Sequence, residues 1–240
     1  EYGDIFEKIK PELKNIKCFV QIVDTEPENN NIESIEYEQF LLSSPEGEHS
    51  ISLESEEDAV TINYTSGTTG MPKGVQYSSR GAYISALGNV IESGMSSKTN
   101  YLWTLPMFHC NGWCFPWTVT ALAGTHICLR RTEPGPIYQS IIDHQVTHMC
   151  GAPIVMGMLV NASSQEQKTL PHSVKILTAG AAPPSAILEQ IENLGFDVTH
   201  AYGLTECYGP GVVSEWHPEW DELPTAEKAA KKARQGVPYL

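Results

Sequence analysis

The sequence lacks a C-x-x-C pair, a long unbroken apolar run, and enough basic residues to balance its acidic ones. Each shortage excludes something. Four of the six cysteines (Cys18, Cys110, Cys114, Cys128, Cys150, Cys207) sit in apolar runs, where a free thiol packs as a small hydrophobe. A reducing compartment is predicted, the cytoplasm first, with peroxisome or mitochondrion as organellar alternatives. The most lipid-like stretch, residues 113–129, is short for a bilayer and is interrupted by Pro116, Thr118, Thr120 and His126, so no transmembrane segment is predicted. Glu1-Tyr2-Gly3-Asp4 opens without a basic region or apolar core, and no secretory signal is visible. Net charge is −14, and residues 1–58 hold 16 acidic side chains against 4 lysines. That balance argues against nucleic acid as a partner, because a basic surface is what binds it. There is no internal repeat and no low-complexity tract.

What is present suits a folded core: 240 residues with 41% hydrophobic content. Residues 1–58 read as the end of a first α/β unit plus an acidic linker, with one apolar strand at 16–24 and a short amphipathic piece at 37–42. From residue 59 to 240, short apolar strands alternate with helix-length segments. This is the pattern of an α/β fold, mostly parallel sheets flanked by helices. Strands are predicted at 60–64, 74–77, 101–105, 126–129, 148–150, 174–178 and 198–202. Helices are predicted at 79–93, 113–123, 135–144, 154–162, 184–194 and 225–235. Ser79 and the Pro183-Pro184-Ser185 run serve as helix-start signals. The last residues, Gln235-Gly236-Val237-Pro238-Tyr239-Leu240, look like the beginning of another element, and the chain reads as a fragment.

One loop stands out chemically: Tyr64-Thr65-Ser66-Gly67-Thr68-Thr69-Gly70-Met71-Pro72-Lys73-Gly74-Val75. Glycines allow close backbone approach, hydroxyls and N–H groups donate, and the lysine supplies a point charge, which together suit phosphate. Spacing excludes two familiar loops. A Walker loop needs Gly-Lys followed by Ser or Thr, whereas Lys73 lies between Pro72 and Gly74. A dinucleotide fingerprint needs Gly-x-Gly-x-x-Gly opening a helix, whereas two threonines separate Gly67 from Gly70 and Pro72 blocks a helix.

The loop resembles the signature of the acyl-adenylate-forming (AMP-binding) superfamily. Other segments at strand ends, where α/β sheets bind ligands, are similar to that family in the same order. They are Pro106-Met107-Phe108-His109-Cys110-Asn111-Gly112-Trp113, Gly180-Ala181-Ala182-Pro183, and His200-Ala201-Tyr202-Gly203-Leu204-Thr205-Glu206. The resemblance implies the N-terminal domain of an acyl-CoA synthetase-like enzyme, with ATP, Mg2+ and CoA as cofactors and a carboxylic acid as substrate. It assigns Lys73, Thr205 and Glu206 to catalysis. Nucleotide contacts fall to Thr65, Ser66, Gly67, Thr68, Thr69, Lys73, Gly180, Ala181, Ala182, Pro183, His200, Ala201, Tyr202, Gly203 and Thr205. The acid falls to His109, Cys110 and Trp113, and the metal region to Thr65 and Glu206.

The Pro106–Trp113 segment resembles acyl-CoA synthetases acting on fatty or related carboxylic acids more than peptide-synthetase domains, and Trp216-His217-Pro218-Glu219-Trp220 with Lys232-Ala233-Arg234-Gln235-Gly236-Val237 resembles a subgroup that uses short- to medium-chain acids. A homodimer is compatible with this reading. The family continues into a C-terminal lid domain, absent from these 240 residues, that supplies a catalytic lysine and part of the CoA site. The isolated fragment is therefore expected to be inactive. Two alternatives stay open: a nucleotide-binding module without catalysis, and an adenylate-forming enzyme with another acceptor, such as a peptide-synthetase adenylation domain or a luciferase-like oxidase.

Overall fold

The computed structural model of the protein describes residues 3–23, 33–47, 52–66 and 70–239. The chain divides into two compact units, Glu1–Ser52 and Leu53–Leu240. This boundary falls a few residues before the one at 58 suggested by the acidic linker.

The first unit holds helix α1 (Gly3–Ile9), a two-residue parallel pairing of β1 (Val20–Gln21) with β2 (Ile35–Glu36), and helix α2 (Tyr37–Leu42). The predicted strand at 16–24 is thus reduced to two paired residues, with Ile16, Val20 and Ile22 exposed and residue 24 outside the described set. The Glu36 carboxylate starts α2 by accepting from the backbone N–H groups of Glu38 and Gln39, satisfying donors that the first helical turn leaves unpaired.

The second unit begins with an antiparallel hairpin, β3 (Ala59–Thr65) and β4 (Lys73–Ser78), which pairs only with itself. This corrects the sequence-based view that these two strands belong with the parallel set. Helix α3 (Ser79–Ser93) follows, capped by the Ser78 hydroxyl accepting from Gly81 N–H and closed by Gly94 in the left-handed region. The cap residue is therefore Ser78, one position before the predicted Ser79.

Next come β5 (Asn100–Trp103), α4 (Phe115–Ala121), β6 (Thr125–Cys128), α5 (Pro134–His144), β7 (His148–Gly151), α6 (Pro153–Val160), β8 (Val174–Thr178) and α7 (Ser185–Asn193). The chain then runs through β9 (Phe196–Leu204), β10 (Gly209–Val213), α8 (Thr225–Lys232) and β11 (Val237–Pro238). The sheet order is β11-β10-β9-β8-β7-β5-β6, with β9 through β6 parallel and β10 and β11 antiparallel at one edge.

Alternation along the parallel strands feeds two cores. Leu102, Met149, Ile176 and Val198 point to one face and pack with α5, α6 and α7; Tyr101, Trp103, Cys150, Leu177 and Ala201 point to the other. Both faces being buried explains why these strands read as near-continuous apolar runs.

The predicted helix at 113–123 is shorter, and the reason is local. Cys110, Asn111, Gly112, Trp113 and Cys114 all have positive φ, from 42° to 64°, forming a left-handed turn after β5. The right-handed helix starts only at Phe115, with Pro116 in its first turn where a missing N–H costs nothing. Among the described residues, no helix is long and apolar enough to cross a membrane.

Candidate active site

The phosphate-type loop is the tip of the β3–β4 hairpin. In its register Thr65 faces Lys73 directly, so one hydroxyl and one ammonium flank the loop mouth on the same face of the ribbon. Lys73 and Ser66 are exposed, and Lys73 has no ion pair among the described residues. Gly67, Thr68 and Thr69 lie outside the described residues.

Strand ends build a second feature. A cavity of about 210 Å³ is lined by His109, Cys110 and Trp113 from the segment after β5, by Ala179 and Gly180 after β8, and by Gly203, Leu204, Thr205, Gly209 and Pro210 around the β9–β10 turn. Six sequence-predicted residues meet here: His109, Cys110, Trp113, Gly180, Gly203 and Thr205. The Cys110 Sγ lies 3.1 Å from the Thr205 Oγ1. Burial pushes the Cys110 thiol above its ordinary range, while the Thr205 hydrogen bond pulls the other way. It therefore enters the wall as a neutral thiol.

Two glycines are required by close approach. A side chain on Gly203 would run into the carbonyl oxygen of Gly209 across the β9–β10 turn, and a Cβ on Gly209, at φ +119°, would lie 2.9 Å from the Trp113 Cα. The β9–β10 turn can therefore press against the left-handed turn only with glycine at these positions.

The hairpin and the cavity are physically joined. The Tyr77 hydroxyl donates to the Thr205 carbonyl at 2.7 Å, the Ser78 N–H donates to the Tyr208 hydroxyl at 2.9 Å, and the two tyrosine rings stack with centroids 4.0 Å apart. On the other strand, the Asn111 Oδ1 accepts from the Thr61 hydroxyl at 2.5 Å and the Asn63 amide at 2.7 Å. None of Tyr77, Tyr208, Thr61, Asn63 or Asn111 carries a role in the sequence reading. Asn111 lies inside a segment that drew attention for its neighbours; the tyrosines are 131 positions apart, and nothing local signals their contact.

Other predicted residues fall elsewhere. His200 and Ala201 are buried, at 2% and 1% exposure. The His200 Nδ1 lies 3.0 Å from the Arg234 carbonyl, and Ala201 packs in the apolar core, so neither lines the cavity. Pro183 is buried, while Ala181 and Ala182 are exposed beyond the cavity. Tyr202 is half exposed, beside the cavity rather than in its wall. Glu206 is exposed and has no hydrogen bond or ion pair among the described residues, which contain no cluster of three or more metal-binding side chains. As donor types, the Thr65 hydroxyl and the Glu206 carboxylate fit magnesium, a hard cation that takes few protein oxygens and keeps its waters.

An α/β domain with a small cavity at the carboxyl ends of its strands, joined to a lysine- and hydroxyl-bearing hairpin loop, is the class that fold and site define. The chain belongs to the AMP-binding enzyme family, whose model matches residues 4–239.

Acetate/butyrate–CoA ligase AAE7, peroxisomal, of Arabidopsis thaliana is 49% identical over 207 residues, 86% of this chain and 36% of its own length. The 2-methylpropanoate–CoA ligase CCL4 of Humulus lupulus is 52% identical over 183 residues, 76% of this chain and 33% of its own. The chain thus spans about a third of the length of the curated relatives it matches. Among solved structures, the N-terminal domain of FACL13 from Mycobacterium tuberculosis aligns with TM-score 0.71 at 21% identity, over 85% of this chain and 50% of its own. O-succinylbenzoate coenzyme A synthetase from Bacillus subtilis, in complex with ATP and magnesium, aligns with TM-score 0.65 at 23% identity, over 92% of this chain and 46% of its own. These structures share the fold: a mostly parallel sheet with helices, as in the N-terminal domains of acyl-CoA synthetase-like enzymes.

Proposed function

We propose that this chain is the nucleotide- and acid-binding part of an AMP-forming acid–CoA ligase acting on a short- to medium-chain carboxylic acid. The observation that carries the reading is the cavity in which His109, Cys110 and Trp113 meet Thr205, joined through Tyr77 to the strand that begins at Lys73. At about 210 Å³ it is smaller than the roughly 300–1,000 Å³ of pockets for drug-sized ligands. That size suits a small acyl group, and the relatives' names, acetate/butyrate and 2-methylpropanoate, agree with it.

The chemistry follows from the donors. The acid's carboxylate oxygen attacks the α-phosphorus of ATP, forming acyl-AMP as the bond to pyrophosphate breaks; the CoA thiolate then attacks the acyl carbon and AMP leaves. Lys73 with Ser66, Thr68 and Thr69 holds the β- and γ-phosphates, and the Thr205 hydroxyl meets the α-phosphate. Tyr202 and the Gly180-Ala181-Ala182-Pro183 turn flank the adenine; His109, Cys110 and Trp113 surround the acyl group. Fixed donors of this kind act where negative charge builds, and cost no reorganisation during reaction. Thr65 and Glu206 hold the metal, which when bound neutralises phosphate charge.

The test is calorimetric titration of the chain with AMP and with a non-hydrolysable butyryl-adenylate analogue, followed by incubation with ATP, magnesium, CoA and a panel of acids analysed by mass spectrometry. Binding of both ligands without thioester release is the expected result for these 240 residues. Failure to bind either ligand removes the reading, and thioester formation overturns the inactivity of the isolated chain.

A further inference from the structure

The left-handed turn after β5 is the most strained segment described. Four non-glycine residues, Cys110, Asn111, Trp113 and Cys114, hold φ between 42° and 64° in one run with Gly112. Each such residue is strained relative to the right-handed form, and strain of this kind persists only where the surroundings over-determine it. The turn is not a surface excursion: Cys110, Gly112, Trp113 and Cys114 are all buried. Its two cavity-facing members, Cys110 and Trp113, sit on either side of Asn111 and Gly112.

Asn111 is the fastening. Asparagine enters the left-handed region more readily than other side chains, and its Oδ1 takes two hydrogen bonds from β3, one from the Thr61 hydroxyl and one from the buried Asn63 amide. Thr61 and Asn63 lie on the strand that runs into the phosphate-type loop at Thr65. One amide oxygen therefore connects the strand beneath the loop to the middle of the cavity wall. The turn's other ties run elsewhere: the Cys110 thiol meets the Thr205 hydroxyl, the Asn89 amide donates to the Trp113 carbonyl, and the Cys114 thiol donates to the Tyr208 carbonyl. Among the described residues, the turn's side-chain hydrogen bonds to β3 are those of Asn111.

We propose that Asn111 is a positioning residue: it pins the left-handed turn to β3 and so sets where Cys110 and Trp113 stand around the acyl group. The proposal rests on the reading that this cavity takes the acyl part of an acyl-adenylate. Asn111 touches no substrate; its effect reaches the ligand through the two wall residues. Removing the amide leaves AMP, which has no acyl group, unaffected, and weakens a ligand that fills the cavity.

The discriminating pair is Asn111→Gly and Asn111→Asp. Glycine adopts the observed φ without strain and deletes both hydrogen bonds, so the turn persists but is no longer fastened. Aspartate keeps an acceptor oxygen for Thr61 and Asn63. Dissociation constants for AMP and for a butyryl-adenylate analogue are measured by calorimetry on the 240-residue chain. For Asn111→Gly the analogue weakens about tenfold, worth ~1.4 kcal/mol, while AMP changes less than about twofold and Asn111→Asp restores the wild-type ratio. An unchanged ratio in Asn111→Gly, or equal loss for both ligands, overturns the positioning role while the functional reading stands. Wild-type chain that binds neither ligand overturns that reading, and this proposal with it.

Discussion

The Tyr77 hydroxyl donates to the carbonyl oxygen of Thr205 at 2.7 Å. This bond ties β4, which begins at Lys73, to the residue that also lends its side chain to the cavity wall. Tyr77 is fully buried, and burial drives its hydroxyl far above the ordinary phenol range, so it acts as a permanent donor. The stacked ring of Tyr208 seals the same contact and places its own hydroxyl on Ser78. Two hydrogen bonds and a ring stack thus join loop strand and cavity turn.

Tyr77→Phe keeps the stack and deletes only the hydroxyl. The Thr205 carbonyl then loses a partner, and stability falls by about 1 kcal/mol. Urea denaturation monitored by tryptophan fluorescence measures it. A variant as stable as wild type would show that the bond carries no net energy in water-exchange terms.

Gly209→Ala should be far more damaging. Position 209 combines φ +119° with a Cβ site 2.9 Å from the Trp113 backbone, so an added methyl meets main chain rather than a movable side-chain end. Overpacking of this kind costs about 1–3 kcal/mol before backbone strain is added. Thermal melts of Gly209→Ala and of Gly47→Ala, where a Cβ meets nothing within 4 Å, separate close approach from a general glycine effect. Similar midpoints for the two variants would remove the packing argument.

Much of this architecture was legible in the sequence. Strand β8 at 174–178 and helix α3 at 79–93 match their predicted bounds, β8 as a short apolar strand and α3 because capping at Ser78 and the left-handed Gly94 bracket it. The cavity was legible through His109, Gly180 and Thr205, each placed just after an apolar strand. What escaped depended on partners distant in the chain. Trp113 continues an apolar run that reads as helix, yet it belongs to a left-handed turn held by Asn89, Thr61 and Asn63. Gly209-Pro210-Gly211 lies outside every predicted strand but opens β10: β11 pairs only with Val212 and Val213, so Pro210 faces β9 alone, beside a register shift where a missing N–H is tolerated. His200 took a nucleotide role from its motif, and its burial with Nδ1 beside the Arg234 carbonyl was not legible, because Arg234 lies 34 positions on.

His148 makes stability pH-dependent. Its ring is buried at the start of β7, with Nε2 3.1 Å from the Ser93 carbonyl and Nδ1 2.8 Å from the Thr147 hydroxyl. The carbonyl can only accept, so Nε2 carries the proton and Nδ1 receives from Thr147. Burial lowers the pKa of His148 below the ordinary 6.5 and the Lys175 ammonium adds to that, with the Ser93 bond opposing. The unfolded chain therefore binds more protons than the folded one below pH 6.5. This contribution is fully present above that value and is lost as pH falls. Urea midpoints at pH 7.5 and 5.5 should differ more in wild type than in His148→Gln, whose amide still donates to Ser93; equal differences would remove His148 as the source.

Lys73 and Glu206 offer the sharpest separation of nucleotide roles, because they are proposed to act on different parts of ATP. Lys73 lies at the loop end of β4, exposed and without an ion pair among the described residues. Its ammonium can be given wholly to phosphate. Lys73→Met keeps the length of the side chain and removes the charge, so affinity for ATP should fall by about tenfold, ~1.4 kcal/mol, the scale of a charge-assisted hydrogen bond. AMP, lacking the β- and γ-phosphates, should bind as before. Glu206→Gln preserves shape while removing the carboxylate charge, and should weaken ATP only when magnesium is present. Calorimetry with ATP and AMP, each with and without magnesium, gives four affinities per variant. A Lys73→Met chain that loses AMP and ATP equally would place Lys73 at the α-phosphate or make its role structural, and a magnesium-independent loss in Glu206→Gln would take Glu206 out of the metal region.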